Sequence, residues 1–165
     1  MPRPLTRAAA PTLIVVLSLT VAACGQETGG TTEPESATET EFVFGSPADA
    51  AIADRVIDIE TTDALTFEPT DISVATGETV TFRLTNNGVL VHDFTLGDQA
   101  TQDTHEAEMS EMGGMAHDEP NVVTIPAGET VELTWTFGDE GTVLVGCHQH
   151  GHYAAGMTGR ITVQG

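Results

Sequence analysis

Residues 147–157, near the end of the chain, read Cys-His-Gln-His-Gly-His-Tyr-Ala-Ala-Gly-Met. This stretch contains one thiol, three imidazoles and one thioether. Sulfur and imidazole nitrogen are the donors that soft and borderline metals prefer, copper among them. A further histidine, His92, lies far upstream in a sequence that is typical of a strand. One distant histidine, followed by cysteine, histidine and methionine in one loop, predicts a mononuclear copper site.

The sequence around this loop is typical of a β protein. Short runs of β-branched and aromatic residues recur from residue 55 to the end, with Gly- and Pro-containing turns between them. Residues 79–84 alternate polar and apolar side chains, which is the pattern of a half-buried strand. About eight such strands predict an all-β sandwich or barrel.

Residues 98–120 interrupt the β pattern. They are polar, contain several Glu, Met and His residues, and have few β-branched side chains. A segment of this length inside a compact domain is usually functional or mobile. We therefore predict one long irregular loop, in which residues 106–112 could form a short helix.

The N-terminal residues indicate export. Arg3 and Arg7 precede an apolar run from Leu13 to Ala23, as in a secretory signal peptide spanning residues 1–23. Residues 21–24 resemble the bacterial lipobox, which predicts lipidation of Cys24 and a location on the cell membrane, facing the periplasm or the cell exterior. The alternative is ordinary cleavage that leaves Cys24 unmodified.

The segment after Cys24 has the composition of a disordered chain. Residues 24–54 are rich in Gly, Thr, Glu, Ser and Pro, and they contain too few apolar residues for a core. We predict that they tether a lipid anchor to a folded domain at residues 55–165. In that domain Cys147 is the one cysteine, and an unpaired thiol in an oxidising compartment favours a bound metal.

The chain is strongly acidic. Its formal net charge is −20 and it contains no lysine. Nucleic acid and anionic membrane surfaces are therefore poor partners. Two interpretations stay open: the charge keeps the protein soluble in salty surroundings, or it guides docking to a basic redox partner.

The domain at residues 55–165 resembles a cupredoxin of the plastocyanin/azurin type. The motifs that carry the resemblance are Phe67-Glu68-Pro69, Gly77-Glu78-Thr79-Val80, Asn86-Asn87-Gly88, His92-Asp93-Phe94, Pro126-Ala127-Gly128-Glu129 and residues 147–157. The resemblance implies a Greek-key β-sandwich that holds one copper ion. It also implies four copper ligands: His92, Cys147, His152 and Met157.

The loop departs from the family pattern at one position. In similar small bacterial cupredoxins the loop reads Cys-His-x-Pro-Gly-His-Tyr-x-Ala-Gly-Met, and here His150 stands in place of Pro. The loop is therefore expected to be softer, or able to exchange ligands. The resemblance implies His152 rather than His150 as the ligand, because its spacing to Cys147 and Met157 matches the family pattern, so His148 and His150 are expected to face solvent. Asp93 follows His92 and could accept a hydrogen bond that ties the ligand segments together.

A second group of soft donors lies in the predicted loop. Imidazole and thioether groups both bind copper ions. A second, weaker copper site is one interpretation, and packing of the methionines over the rim of the first site is the other. The candidate ligands are His105, Met109, Met112, Met115 and His117, with His148 and His150 as additional donors.

Two functions are compatible with these residues. The leading hypothesis is a membrane-tethered blue-copper protein that transfers single electrons, and the alternative is a protein that buffers or sequesters copper outside the cytoplasm. The Cys147-His148 pair also resembles the last motif of multicopper oxidases. Those enzymes have His on both sides of the Cys, whereas here Gly146 precedes it, so we predict no enzymatic activity.

Overall fold

A computed structural model describes residues 42–112 and 119–165 of the chain. Ten strands, one 3₁₀ turn (Ala50–Ile52) and one α-helix make up this part of the protein. The strands are β1 Gly45–Pro47, β2 Arg55–Thr62, β3 Thr66–Glu68, β4 Asp71–Ala75, β5 Thr79–Asn86, β6 His92–Gly97, β7 Val122–Ile125, β8 Thr130–Phe137, β9 Gly141–Gly146 and β10 Thr158–Gln164. The helix, α1, spans Gln99–Met112.

The strands form two five-stranded sheets. One sheet has the order β1-β8-β5-β2-β3, and the other has the order β4-β10-β9-β6-β7. Both are mixed, because β2 pairs with β5 in parallel and β10 pairs with β4 in parallel. This two-sheet sandwich confirms the predicted all-β fold.

Aromatic side chains fill the space between the sheets. Phe82 on β5 is fully buried, and its ring lies 5.4 Å from that of Phe94 on β6. Phe94 also packs edge-on against Phe67 at 5.5 Å. Because alternate residues of a strand share a face, His92 and Phe94 point to the same side of β6. The aromatic core therefore lies directly beneath the residue that is the predicted copper ligand.

The helix α1 corrects the prediction of a long irregular loop at residues 98–120. Asp98 caps its start, since its Oδ1 accepts hydrogen bonds from the Thr101 backbone N–H (2.8 Å) and hydroxyl (2.9 Å). The helix is mostly built of Gln, Glu, Ala and Met, which favour helices, but it lacks a clear apolar periodicity. The short helix expected at residues 106–112 is present, but it begins earlier, at Gln99. The weak apolar periodicity did not indicate this longer extent, although Asp98 was a usable N-cap signal.

The folded domain begins earlier than the predicted boundary at residue 55. Strand β1 pairs with β8, and Phe44 is only 8% exposed, with its ring stacked 5.3 Å from that of Trp135. The packing of Phe44 and β1 against β8 therefore places these residues in the folded domain. The polar residues around them had indicated that they belong to the tether. The predicted signal peptide, Cys24 and the remainder of the predicted tether lie outside the described residues. Within the described part, no helix is long and apolar enough to span a membrane.

Candidate metal centre

Strand pairing brings together ligands that are distant in sequence. His92 opens β6, and Cys147 directly follows β9. These two strands are antiparallel neighbours, with Thr95 opposite Gly146. Met157 directly precedes β10, which pairs with β9. The segment 147–157, hereafter the ligand loop, therefore connects two adjacent strands at the end of the sheet where His92 lies.

Three donor atoms converge at this end of the sandwich. The Sγ atom of Cys147 lies 3.3 Å from Nδ1 of His152 and 3.9 Å from Nδ1 of His92. All three atoms lie within 4.8 Å of one another, and both His92 and Cys147 are fully buried. Among residues 42–112 and 119–165, no other set of three His, Cys, Asp or Glu side chains converges in this way.

The fourth predicted ligand, Met157, is also fully buried. Its backbone N–H donates to the His152 carbonyl at 3.0 Å, and its carbonyl accepts from the Cys147 N–H at 3.1 Å. These two bonds close the ligand loop on itself and fix Met157 next to both other loop ligands. Two imidazoles, one thiol and a thioether are the donor set of a mononuclear blue-copper site. The residues present therefore fit a copper ion.

The surroundings of Cys147 favour the protonated thiol. Burial, and then the neighbouring charge of Asp93, raise the pKa of Cys147 to about 12. Burial lowers the pKa of His152, and burial together with the charge of His152 lowers that of His92. Both imidazoles are thus neutral at pH 7, ready to act as ligands, and only the thiol must lose a proton when a metal binds.

Asp93 joins the two ligand-bearing segments. Its backbone N–H points at the Cys147 sulfur at 3.4 Å, and its Oδ1 accepts from the His148 backbone N–H at 2.7 Å. Its Oδ2 accepts from the Gln149 side chain at 3.3 Å. Burial raises the pKa of this carboxyl to about 6. The expected hydrogen bond between the two segments is present, and its acceptor is the Asp93 carboxylate.

The two spare loop histidines differ from each other. His150 is exposed and lies outside the converging group, in agreement with the choice of His152. His148, which we expected to face solvent, is instead 2% exposed and lies beneath α1. Its ring stacks on Tyr153 at 4.4 Å and meets the edge of His105 at 5.0 Å. The reason is α1, whose full length and packing over the ligand loop the sequence did not reveal.

The predicted second site is only partly described. His105 and Met109 lie one turn apart on the buried side of α1. The side chain of Met112 and the whole of Met115 and His117 lie outside the described part of the chain. In that part, His105 and His148 do not form a three-donor group with a carboxylate. The second site therefore stays a prediction.

Sequence reasoning missed one residue that matters for this centre. Gln102, on α1, is fully buried, and it hydrogen-bonds the His148 ring as well as both neighbouring strands. A lone glutamine in a polar segment carries no pattern that predicts such contacts.

Comparison with known proteins agrees with this geometry. Residues 53–164 match the model of copper-binding proteins of the plastocyanin/azurin family. The chain belongs to that family. It is 34% identical over 158 residues to the copper-resistant cuproprotein CopI of Rubrivivax gelatinosus, covering 93% of this chain and 96% of that protein. It is 40% identical over 150 residues to CopI of Pseudomonas aeruginosa, covering 73% and 82%.

Solved structures give the same fold. Auracyanin B superposes with a TM-score of 0.61 at 24% identity, over 73% of this chain and 96% of that one. This cupredoxin therefore binds copper through His92, Cys147, His152 and Met157. The family match and the fold both support this assignment.

Proposed function

We propose that this cupredoxin acts outside the cytoplasm in copper tolerance, by binding one copper ion at the site described above. The convergence of three donor atoms within 4.8 Å carries the proposal. The names of the two relatives support it, since both are copper-resistant cuproproteins and the chain covers most of each. Of the two hypotheses from the sequence, copper handling is thus the one that these relatives favour.

The chain's own residues make the site selective for a soft metal. Cys147 loses its proton to solvent when copper binds, and the resulting thiolate receives the Asp93 N–H as a hydrogen-bond donor. Complete burial of Cys147 and Met157 excludes water from the sulfur side. Copper, when bound, supplies one-electron redox chemistry. A hard cation such as Mg²⁺ or Ca²⁺ prefers oxygen ligands, which these four residues do not offer.

Growth in copper tests this function. Deletion of the gene is expected to make the parent organism more sensitive to copper salts. The wild-type gene should restore growth, and the Cys147→Ser gene should not. Glu111→Gln is the matched control, because Glu111 is an exposed residue of α1 that does not belong to the converging donor group. Full rescue by Cys147→Ser would contradict the proposal.

Electron transfer is the second candidate function. Both imidazole Nδ1 atoms face the Cys147 sulfur, at 3.9 Å for His92 and 3.3 Å for His152. A site that needs little rearrangement between Cu(I) and Cu(II) suits rapid electron exchange. The chain's net charge of −20 would favour a basic partner. Fast electron self-exchange by the one-copper protein, with no copper phenotype in the deletion strain, would favour this function over tolerance.

Export and anchoring are part of the proposal. The basic start at Arg3 and Arg7, the apolar run to Ala23 and the following Cys24 support a lipoprotein signal. In a bacterial host, Cys24→Ser is expected to move the protein from the membrane fraction to the soluble extracytoplasmic fraction. Mass spectrometry of the wild-type N-terminus should find lipid on Cys24. An unmodified Cys24 would show that the anchor is absent.

Copper stoichiometry tests the second site. One tightly bound copper per chain is expected from the four-ligand centre alone. A second equivalent that is lost in Met109→Leu would place weaker binding on α1, whereas a single equivalent in both proteins would exclude the predicted site.

The absence of a histidine before Cys147 leads us to expect no oxidase activity, which an oxygen-consumption assay with Cu(I) checks.

A further inference from the structure

His148, the residue after Cys147, is held from several sides. Its Nε2 contacts the Gln102 Oε1 at 2.7 Å, and its Nδ1 contacts the Glu106 Oε2 at 2.8 Å. Its ring face stacks on Tyr153. Gln102 and Glu106 lie one turn apart on α1, so both reach the same imidazole. We call Gln102, Glu106 and His148 the α1 clamp.

Gln102 connects this clamp to both ligand-bearing strands. Its Nε2 donates to the Thr95 carbonyl on β6 at 3.0 Å and to the Leu144 carbonyl on β9 at 3.3 Å. Because both carbonyls need the amide nitrogen, the amide oxygen must face His148. One fully buried side chain therefore connects the helix, the strand that begins with His92 and the strand that leads to Cys147.

Gly146 provides the space for the clamp. A Cβ atom at this position would collide with the Gln102 Oε1 and would lie 2.8 Å from the His148 Nε2. It would also lie 2.9 Å from a ring carbon of Tyr153. No Cβ atom is accommodated there without displacing the Gln102–His148 bond. The glycine directly before Cys147 therefore leaves the room that the Gln102–His148 hydrogen bond needs.

From these contacts we propose that Gln102 and Glu106 are positioning residues for the copper site. They hold His148, and through the peptide chain they hold Cys147, the residue directly before it in the ligand loop. The inference rests on the proposed copper binding and adds a mechanism that keeps the copper in place.

The expected effect is faster loss of copper. Removing an outer hydrogen-bond partner of a metal site commonly weakens metal binding by about 10- to 100-fold. Gln102→Met keeps the side-chain length but offers His148 no acceptor. Glu106→Ala removes the second acceptor from a position that is 38% exposed, so the fold should tolerate it. Because His148 is not itself a ligand, the lower end of this range applies, and both variants should release copper about tenfold faster than the wild type.

The experiment uses the full-length copper-loaded protein. The rate of copper withdrawal by excess Cu(I) chelator is measured after reduction, and the EPR spectrum of the Cu(II) form is recorded in parallel. Glu106→Gln keeps an oxygen acceptor for the His148 ring and should stay close to the wild type. Glu111→Gln is an exposed control on the same helix. The two clamp-breaking variants should also change the Cu(II) hyperfine coupling, which a loss of stability alone would not alter.

Two outcomes overturn the inference without touching the proposed function. One is a wild-type release rate and EPR spectrum in Glu106→Ala and Gln102→Met, each carrying one copper. The other is a lower melting temperature of the metal-free variants with an unchanged EPR spectrum, which would make the clamp purely structural. If Gln102→Met fails to fold, Glu106→Ala decides alone. Failure of the wild type itself to bind copper would instead refute the proposed function.

Discussion

Copper binding should release one proton from the metal-free protein. With a pKa of about 12, only about one Cys147 thiol in 10⁵ is ionised at pH 7. His92 and His152 are neutral there, because burial lowers their pKa values below the ordinary 6.5. Removing the thiol proton at pH 7 costs about 7 kcal/mol, at 1.36 kcal/mol per pH unit, and the copper–thiolate bond must offset this cost.

The sign of the pH dependence follows from this. As pH rises from 7 to 9, the thiol proton is removed more easily, so copper affinity should increase about tenfold per unit. Below the imidazole range, protonation of His92 and His152 should weaken binding more steeply. Isothermal titration in buffers of different ionisation enthalpy, in which a competing ligand holds the copper, measures the protons released.

The expected value is one proton per copper ion at pH 7.5. Release of no proton would mean that Cys147 is already a thiolate or does not bind the metal. Release of two or more would mean that the imidazoles carry protons in the metal-free protein. In Cys147→Ala the proton release should disappear, and binding should be far weaker.

Three further predictions concern stability. In the metal-free protein, the pKa of Asp93 is raised to about 6, so its contribution to stability is greatest below pH 4 and is lost as pH rises to 6. The difference in unfolding free energy between wild type and Asp93→Asn should therefore change over this interval in urea titrations, and a constant difference would contradict the burial of the carboxyl. Phe82→Ala should cost about 3–5 kcal/mol, because Phe82 is fully buried between the sheets. A loss near zero would place this ring outside the core. Asp98→Ala should cost about 1 kcal/mol through loss of the α1 cap. An unchanged melting temperature would mean that the cap does not stabilise the helix.

The ligands were predictable because their signal is local or chemically distinctive. The ligand loop places its sulfur and nitrogen donors at short, fixed spacings, and the choice of His152 over His150 followed from the match of those spacings to the family pattern. His92 could be added because a copper site needs a second imidazole and because the resemblance supplied its position. The two-sheet sandwich was predictable from alternating strands and their turns.

The surroundings of the site were less predictable. Burial of His148 depends on α1, and α1 has no apolar periodicity that would reveal which face it buries. Gln102 acts through contacts with β6 and β9, which are distant in sequence from each other. Strand β1 escaped notice because its stabilising contact, Phe44 against Trp135, joins residues 91 positions apart. Contacts of this kind arise only from tertiary packing.

The central claim is that the Cys147 sulfur binds copper together with the Nδ1 atoms of His92 and His152. The most direct test is the visible absorption spectrum of the full-length protein after addition of one equivalent of Cu(II), compared with Cys147→Ser. We expect an intense thiolate-to-copper charge-transfer band in the wild type and none in the variant. A colourless wild-type protein, or a band that survives in Cys147→Ser, would contradict the claim.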